Sequence, residues 1–89
     1  MKAVITVTGK DAVGIIADVA TLCAKHDANI VDITQSVLSE YFAMIMLADI
    51  SGLTTKFSAF VDLLTELGQS CGLDIHTMHE DIFNSMHRI

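Results

Sequence analysis

The sequence predicts one α+β domain whose elements follow the order strand, helix, strand, strand, helix, strand. Three observations carry this expectation. The apolar residues switch twice from a two-residue period to a period of three to four. The longer helical pattern stops at a glycine, and the 89-residue chain has room for only one core.

Residues 3–8 read as the first strand, because Val4, Ile5 and Val7 are β-branched and Thr6 and Thr8 suit a pleated surface. Residues 9–14 break that pattern as a loop with Gly9 and Gly14 at its ends. From Ile15 the period is helical. Ile16, Val19, Ala20 and Cys23 form the apolar stripe, Ile15 and Leu22 flank it, and Asp18, Thr21 and Lys25 lie opposite. The helix runs out near His26 and Asp27, where Lys25 suits the negative end of the dipole.

Residues 30–38 form the second strand. Val31, Ile33 and Val37 alternate with Asp32, Thr34 and Ser36, which predicts one wet or partner-facing side. After a short turn at 39–41, residues 42–47 are apolar on both sides, as in a strand covered on both faces. Residues 49–55 turn again, with Thr54 or Thr55 expected to cap the next helix. That helix is the clearest element. Phe57, Phe60, Val61, Leu64, Leu67, Gly68 and Cys71 recur at three- and four-residue steps, and Gly72 stands where a terminating glycine belongs. Residues 73–78 are the last strand. In the tail, Ile82, Phe83, Met86 and Ile89 share a helical face, with Asp81 before them and His87 and Arg88 at the end.

Two halves of this order make the ferredoxin-like βαββαβ fold: a four-stranded antiparallel sheet with two helices on one face. Residues 1–89 are then a single domain, its core spanning 3–80 and a short C-terminal helical tail 81–89. The helix-free face of such a sheet is bare and calls for cover.

Composition narrows the function classes. With 52% apolar residues and no proline, the chain is richer in apolar residues than the usual range of about 45–50%, a surplus that fits either a rich core or a covered surface. The net charge of -6 repels phosphate backbones, and Lys2, Lys10, Lys25, Lys56 and Arg88 are scattered, so nucleic acid is not the expected partner. No apolar run approaches the roughly 18 residues of a spanning helix, and the start of the chain lacks a signal-peptide core, so a cytoplasmic location without membrane association is expected. Cys23 and Cys71 fall on helical apolar stripes and are expected to be buried, reduced and unreactive.

Catalytic groups are sparse. No serine has a setting that activates it, so no enzyme activity is expected and no cofactor is implied. His76, His79 and Glu80 have the residue types of a metal site, but in a strand the two histidines point to opposite faces, and nothing fixes the distance to His87. Surface histidines without metal are the expectation. Met44, Met46, Met78 and Met86 serve either as core filling or as an adaptable interface.

The first loop is the most informative stretch. Gly9, Asp11 and Gly14 precede a helix start, which suits a small carboxylate, while Asp11 suits an ammonium; together they match an amino acid zwitterion. Asp11 as a cap with Gly14 as a strain-free turn residue fits the same residues.

Residues 11–20, Asp-Ala-Val-Gly-Ile-Ile-Ala-Asp-Val-Ala, followed by residues 27–33, Asp-Ala-Asn-Ile-Val-Asp-Ile, resemble the ACT domain. In that family a D-x-x-G start opens the first helix and an N-I pair begins the second strand. The tail adds a resemblance to small stand-alone ACT proteins of unassigned role. The resemblance implies a regulatory module that binds an amino acid between paired domains. It carries ligand contacts to Asp11, Val13, Gly14 and Ile15 in the loop, with Asn29 and Ile30 opposite. Val13 stands where the family commonly has proline. No catalytic or DNA-binding domain is attached, so the implied regulation acts in trans on an enzyme or regulator. A homodimer paired side by side into one eight-stranded sheet is the implied assembly. A protein–protein interaction module without a small ligand remains the alternative. An RNA-recognition domain of the same order would need strand aromatics and basic charge, and a metal chaperone would carry a cysteine pair in the first loop; this sequence has neither.

Overall fold

The computed structural model describes residues 1–10 and 13–86, with only the backbone described at Leu38. The elements are β1 (Lys2–Gly9), α1 (Ile15–Lys25), β2 (Asn29–Leu38), β3 (Tyr41–Asp49), α2 (Phe57–Cys71), β4 (Asp74–His79) and α3 (Glu80–Met86). The strand order is β2-β3-β1-β4, and β1 pairs antiparallel with both β3 and β4, as β2 does with β3. This is the βαββαβ order that the sequence predicts. It leaves β2 and β4 as the edges.

Strand alternation decides what lies inside. Ala3, Ile5 and Val7 of β1, Met44, Met46 and Ala48 of β3, and Ile75 of β4 face the helices. They form one core with Ile15, Val19 and Cys23 of α1 and Phe60 and Leu64 of α2. The α1 stripe is therefore rotated from the expected one: Ile15 is 1% exposed and central, whereas Ile16 is only half-buried. Gly14 is left-handed (φ 78°) immediately before the helix, and Ile15, Val19 and Cys23 follow at four-residue steps.

Both long helices end in the same way. At α2, Leu73 N–H donates to the Gly68 carbonyl (2.8 Å) and Gly72 N–H to that of Gln69 (3.3 Å), with Gly72 left-handed at φ 72°. At α1, Ala28 N–H donates to Cys23 (2.8 Å) and Asp27 N–H to Ala24 (3.2 Å), and Asp27 takes the left-handed place at φ 58°. These paired bonds are Schellman stops, which satisfy the last helical carbonyls. The α2 start differs from expectation, because Lys56 rather than a threonine is the N-cap. Thr54 is held earlier in the turn, its N–H donating to the His26 carbonyl at 3.0 Å.

The covering of β3 also differs from expectation. Its alternate residues Ala43, Ile45 and Leu47 lie on the helix-free face, where Ile45 is 44% exposed and Leu47 half-buried. A strand apolar on both sides is thus covered on only one by the helices. Part of the same face is covered by α3. Val4 shares it by register, opposite Leu47 and Met78, yet is only 4% exposed. Val4 stands outside the main core cluster, and α3 packs along β1 and β4. The α3 segment therefore folds under the sheet.

Candidate functional site

The first loop leaves β1 at Gly9 and enters α1 at Gly14; Asp11, the charged residue of the expected site, lies outside the described residues. Gly14 has no side chain with which to cap the helix, and its carbonyl accepts the first helical bond, from Asp18 N–H at 3.1 Å. The loop residues divide sharply. Val13 is 94% exposed, whereas the Ile15 side chain belongs to the core and offers a ligand only its backbone amide. Asn29 is exposed and Ile30 half-buried.

The register separates the two halves of the expected site. Asn29 and Lys2 both pair with Asp49, so they share one end of the sheet. Gly9 and Val37 both pair with Phe42 at the other end. Lys2 and Gly9 are seven steps apart on β1, about 23 Å at a strand rise near 3.3 Å. One chain does not bring Asn29 to its own first loop.

Beside the loop lies a 310 Å³ cavity lined by Thr8, Gly9, Ser36, Tyr41, Phe42 and Ala43. Lys10 closes over this end. Its Nζ lies 5.6 Å from the Tyr41 ring centroid and 3.7 Å from the Glu40 carboxylate. The hairpin side of this cavity has no signature in the sequence, because strand pairing alone brings Ser36 and Tyr41 to Thr8.

The histidines do not converge. His76 pairs with Thr6 on the helix-free face, whereas His79 pairs with Ala3 and stacks on Phe57, with centroids 4.1 Å apart and planes 29° apart. His79 is therefore half-buried in a packing role, not a plain surface histidine; His87 lies outside the described residues. Among the described residues, no three His, Cys, Asp or Glu side chains are grouped to hold a metal ion. At the other sheet end, Asp49 accepts Ser51 N–H at 2.9 Å, which holds its carboxyl below the usual carboxylate value.

The two thiols behave differently from each other. Cys23 is fully buried, and desolvation pushes its pKa up to about 11. Cys71 is exposed, contrary to expectation: it is the last residue of α2, beyond the point where Gly68 meets β4. A thiol reagent is expected to label Cys71 alone in the folded chain. The sign for Cys23 follows from linkage. Its folded pKa is raised, so the stabilisation is full below the unfolded value and is lost as pH rises from about 9 to about 11. Two pKa units correspond to roughly 3 kcal/mol. Chemical denaturation across that range, with parent and Cys23→Ala compared, measures it.

The helix-covered antiparallel sheet and its glycine-opened loop define a ferredoxin-like βαββαβ domain. A family model described as ACT domain matches residues 2–78, and the chain belongs to this family of regulatory ligand-binding domains. A UPF0237 protein of Clostridium perfringens is 49% identical over 89 residues, the whole of both chains. The solved ACT domain protein from Streptococcus pneumoniae is 38% identical, covers 93% of each chain and superimposes with a TM-score of 0.80. A putative glycine cleavage system transcriptional repressor is 27% identical, with a TM-score of 0.68, covering 89% of this chain and 47% of its own. Among the described residues, no helix is long and apolar enough to cross a membrane.

Proposed function

We propose that the chain is a cytoplasmic amino acid sensor whose site is completed by a second copy and which acts in trans on an enzyme or regulator. The separation of Asn29 from the first loop carries this reading. Two β2 edges paired antiparallel about Thr34 set Val31 of one copy against Val37 of the other. Asn29 of each copy then approaches the hairpin end of its neighbour, where the first loop lies. The edge suits the pairing: β2 is ten residues long, regular from Asp32 to Leu38 with a bulge between Ile30 and Asp32, and Val31 and Val37 are 50% and 70% exposed. A long apolar edge offers unpaired backbone groups to another strand.

In the proposed site the ligand carboxylate meets backbone N–H groups near Gly14, and its ammonium meets Asp11 and Asn29 of the second copy. The helix dipole favours the anion, and the Asp11 charge favours the cation. Ile30 flanks Asn29, and exposed Val13 closes the loop side. The repressor similar to this chain supports a regulatory role of this kind.

Asp11→Asn tests the site. Loss of a charge-assisted bond is expected to weaken amino acid binding by about 1.5–3 kcal/mol while leaving the melting temperature unchanged. If Asp11 is only a cap, Asn replaces it and binding stays at the parent level. Calorimetric titration and thermal unfolding of the same samples separate the two outcomes.

A further inference from the structure

We infer that the helix-free face of the sheet is a second self-association surface, which joins two side-by-side dimers face to face. This rests on the proposed β2 pairing for the dimer but uses the face of the sheet, not the β2 edge. The observation is a step on one face. At the Lys2 end, α3 stands proud of the sheet over Val4, with Ile82 53% and Met86 65% exposed. At the opposite end the same face is hollow. Thr8, Ala43 and Ser36 are aligned across three strands, and Tyr41, 53% exposed, walls the 310 Å³ cavity they floor. Between the two lies Ile45, 44% exposed.

A projection and a hollow on one face are self-complementary under a two-fold axis lying between two such faces: each copy's α3 meets the other's hollow. A second copy is therefore the occupant that the shape specifies. Charge selects the same face. The chain carries a net charge of -6, and the outer sides of the helices display Asp18, Asp62 and Glu66. The middle of the helix-free face holds Thr6, Thr34, Ile45, Ser36 and Ala43, without a charged side chain; on the same face Asp32 and Asp74 stand on the edge strands, and Lys2 and Asp49 at the end near α3. At the step, the acidic start of α3, Glu80 and Asp81, comes toward the end where Lys10 lies. The domain is a slab of 36 × 34 × 19 Å, so its broad face has room for the roughly 800 Å² per partner that a specific interface buries.

Sedimentation from micromolar to millimolar concentration tests this. The parent is expected to pass from dimer to tetramer, whereas Ile45→Glu and, separately, Met86→Glu stop at the dimer. Glutamate at position 45 faces its own symmetry mate, and glutamate at position 86 is buried against the uncharged hollow, so each is expected to raise the dimer–tetramer dissociation constant roughly tenfold or more. Met86 is exposed on a terminal helix, so its variant keeps the inference testable if Ile45→Glu disturbs the sheet. A parent that remains dimeric at millimolar concentration, or face variants that form tetramers like the parent, overturns the inference. If Met86→Glu yields a monomer while Lys at Val31 and Val37 leaves the dimer intact, the face is upheld and the β2 pairing fails instead.

Discussion

Lysine in place of both Val31 and Val37 is expected to leave the chain folded but monomeric in dilute solution. The two residues oppose each other across the proposed pair of β2 edges, so each dimer acquires two facing Lys–Lys contacts and loses two valine pairs. Like-charge juxtaposition at an interface costs several kcal/mol, so a weakening of about 3 kcal/mol, more than a hundredfold in dissociation constant, is expected. Both valines are at least half exposed, so the monomer core is untouched. Amino acid binding should fall with the dimer, because Asn29 no longer reaches a first loop. Sedimentation and titration of the same variant check both parts. A monomer that binds as tightly as the parent removes the shared site from the account.

Gly68→Ala is expected to lower stability by about 1–3 kcal/mol, although alanine is the better helix former by about 1 kcal/mol. The site has no room. A Cβ at Gly68 would stand 2.7 Å from the Leu73 carbonyl oxygen and 2.8 Å from Ile75 Cγ1. The first of these is backbone, held in place by the Leu73 N–H bond to the Gly68 carbonyl itself. Relief requires α2 and β4 to move apart at the point where the Schellman stop joins them. Equilibrium urea unfolding measures the loss. An unchanged or raised midpoint would show that the helix-strand junction yields freely.

The fold was legible because its signals are local. α2 shows a clean stripe and a terminating glycine, and β1 shows β-branched alternation. What escaped reading depends on partners distant in sequence. Lys2, Gly9 and Asp49 join strands through pairing, without any apolar signal of their own. The periodicity of α1 fits two neighbouring phases, and packing against the sheet selects the one that centres Ile15. Cys71 shares the apolar period of α2 but lies at its end, beyond the sheet that would bury it. The candidate site was legible in residue type and not in place. Gly14 and Val13 stand at an open helix start, as the loop pattern implies, but the separation of Asn29 from them is a property of register. Tyr41 and Ser36 beside the loop have no linear signature at all.

The central claim, that two copies together sense an amino acid, is tested most directly by titrating the dimer with single amino acids while following thermal unfolding. At least one of them is expected to bind with two sites per dimer. At a hundred times its dissociation constant it should add about 2.7 kcal/mol, a rise of about 10–20 °C for a domain of this size. A dimer whose melting temperature no amino acid shifts at millimolar concentration would contradict the claim and leave the chain an interaction module.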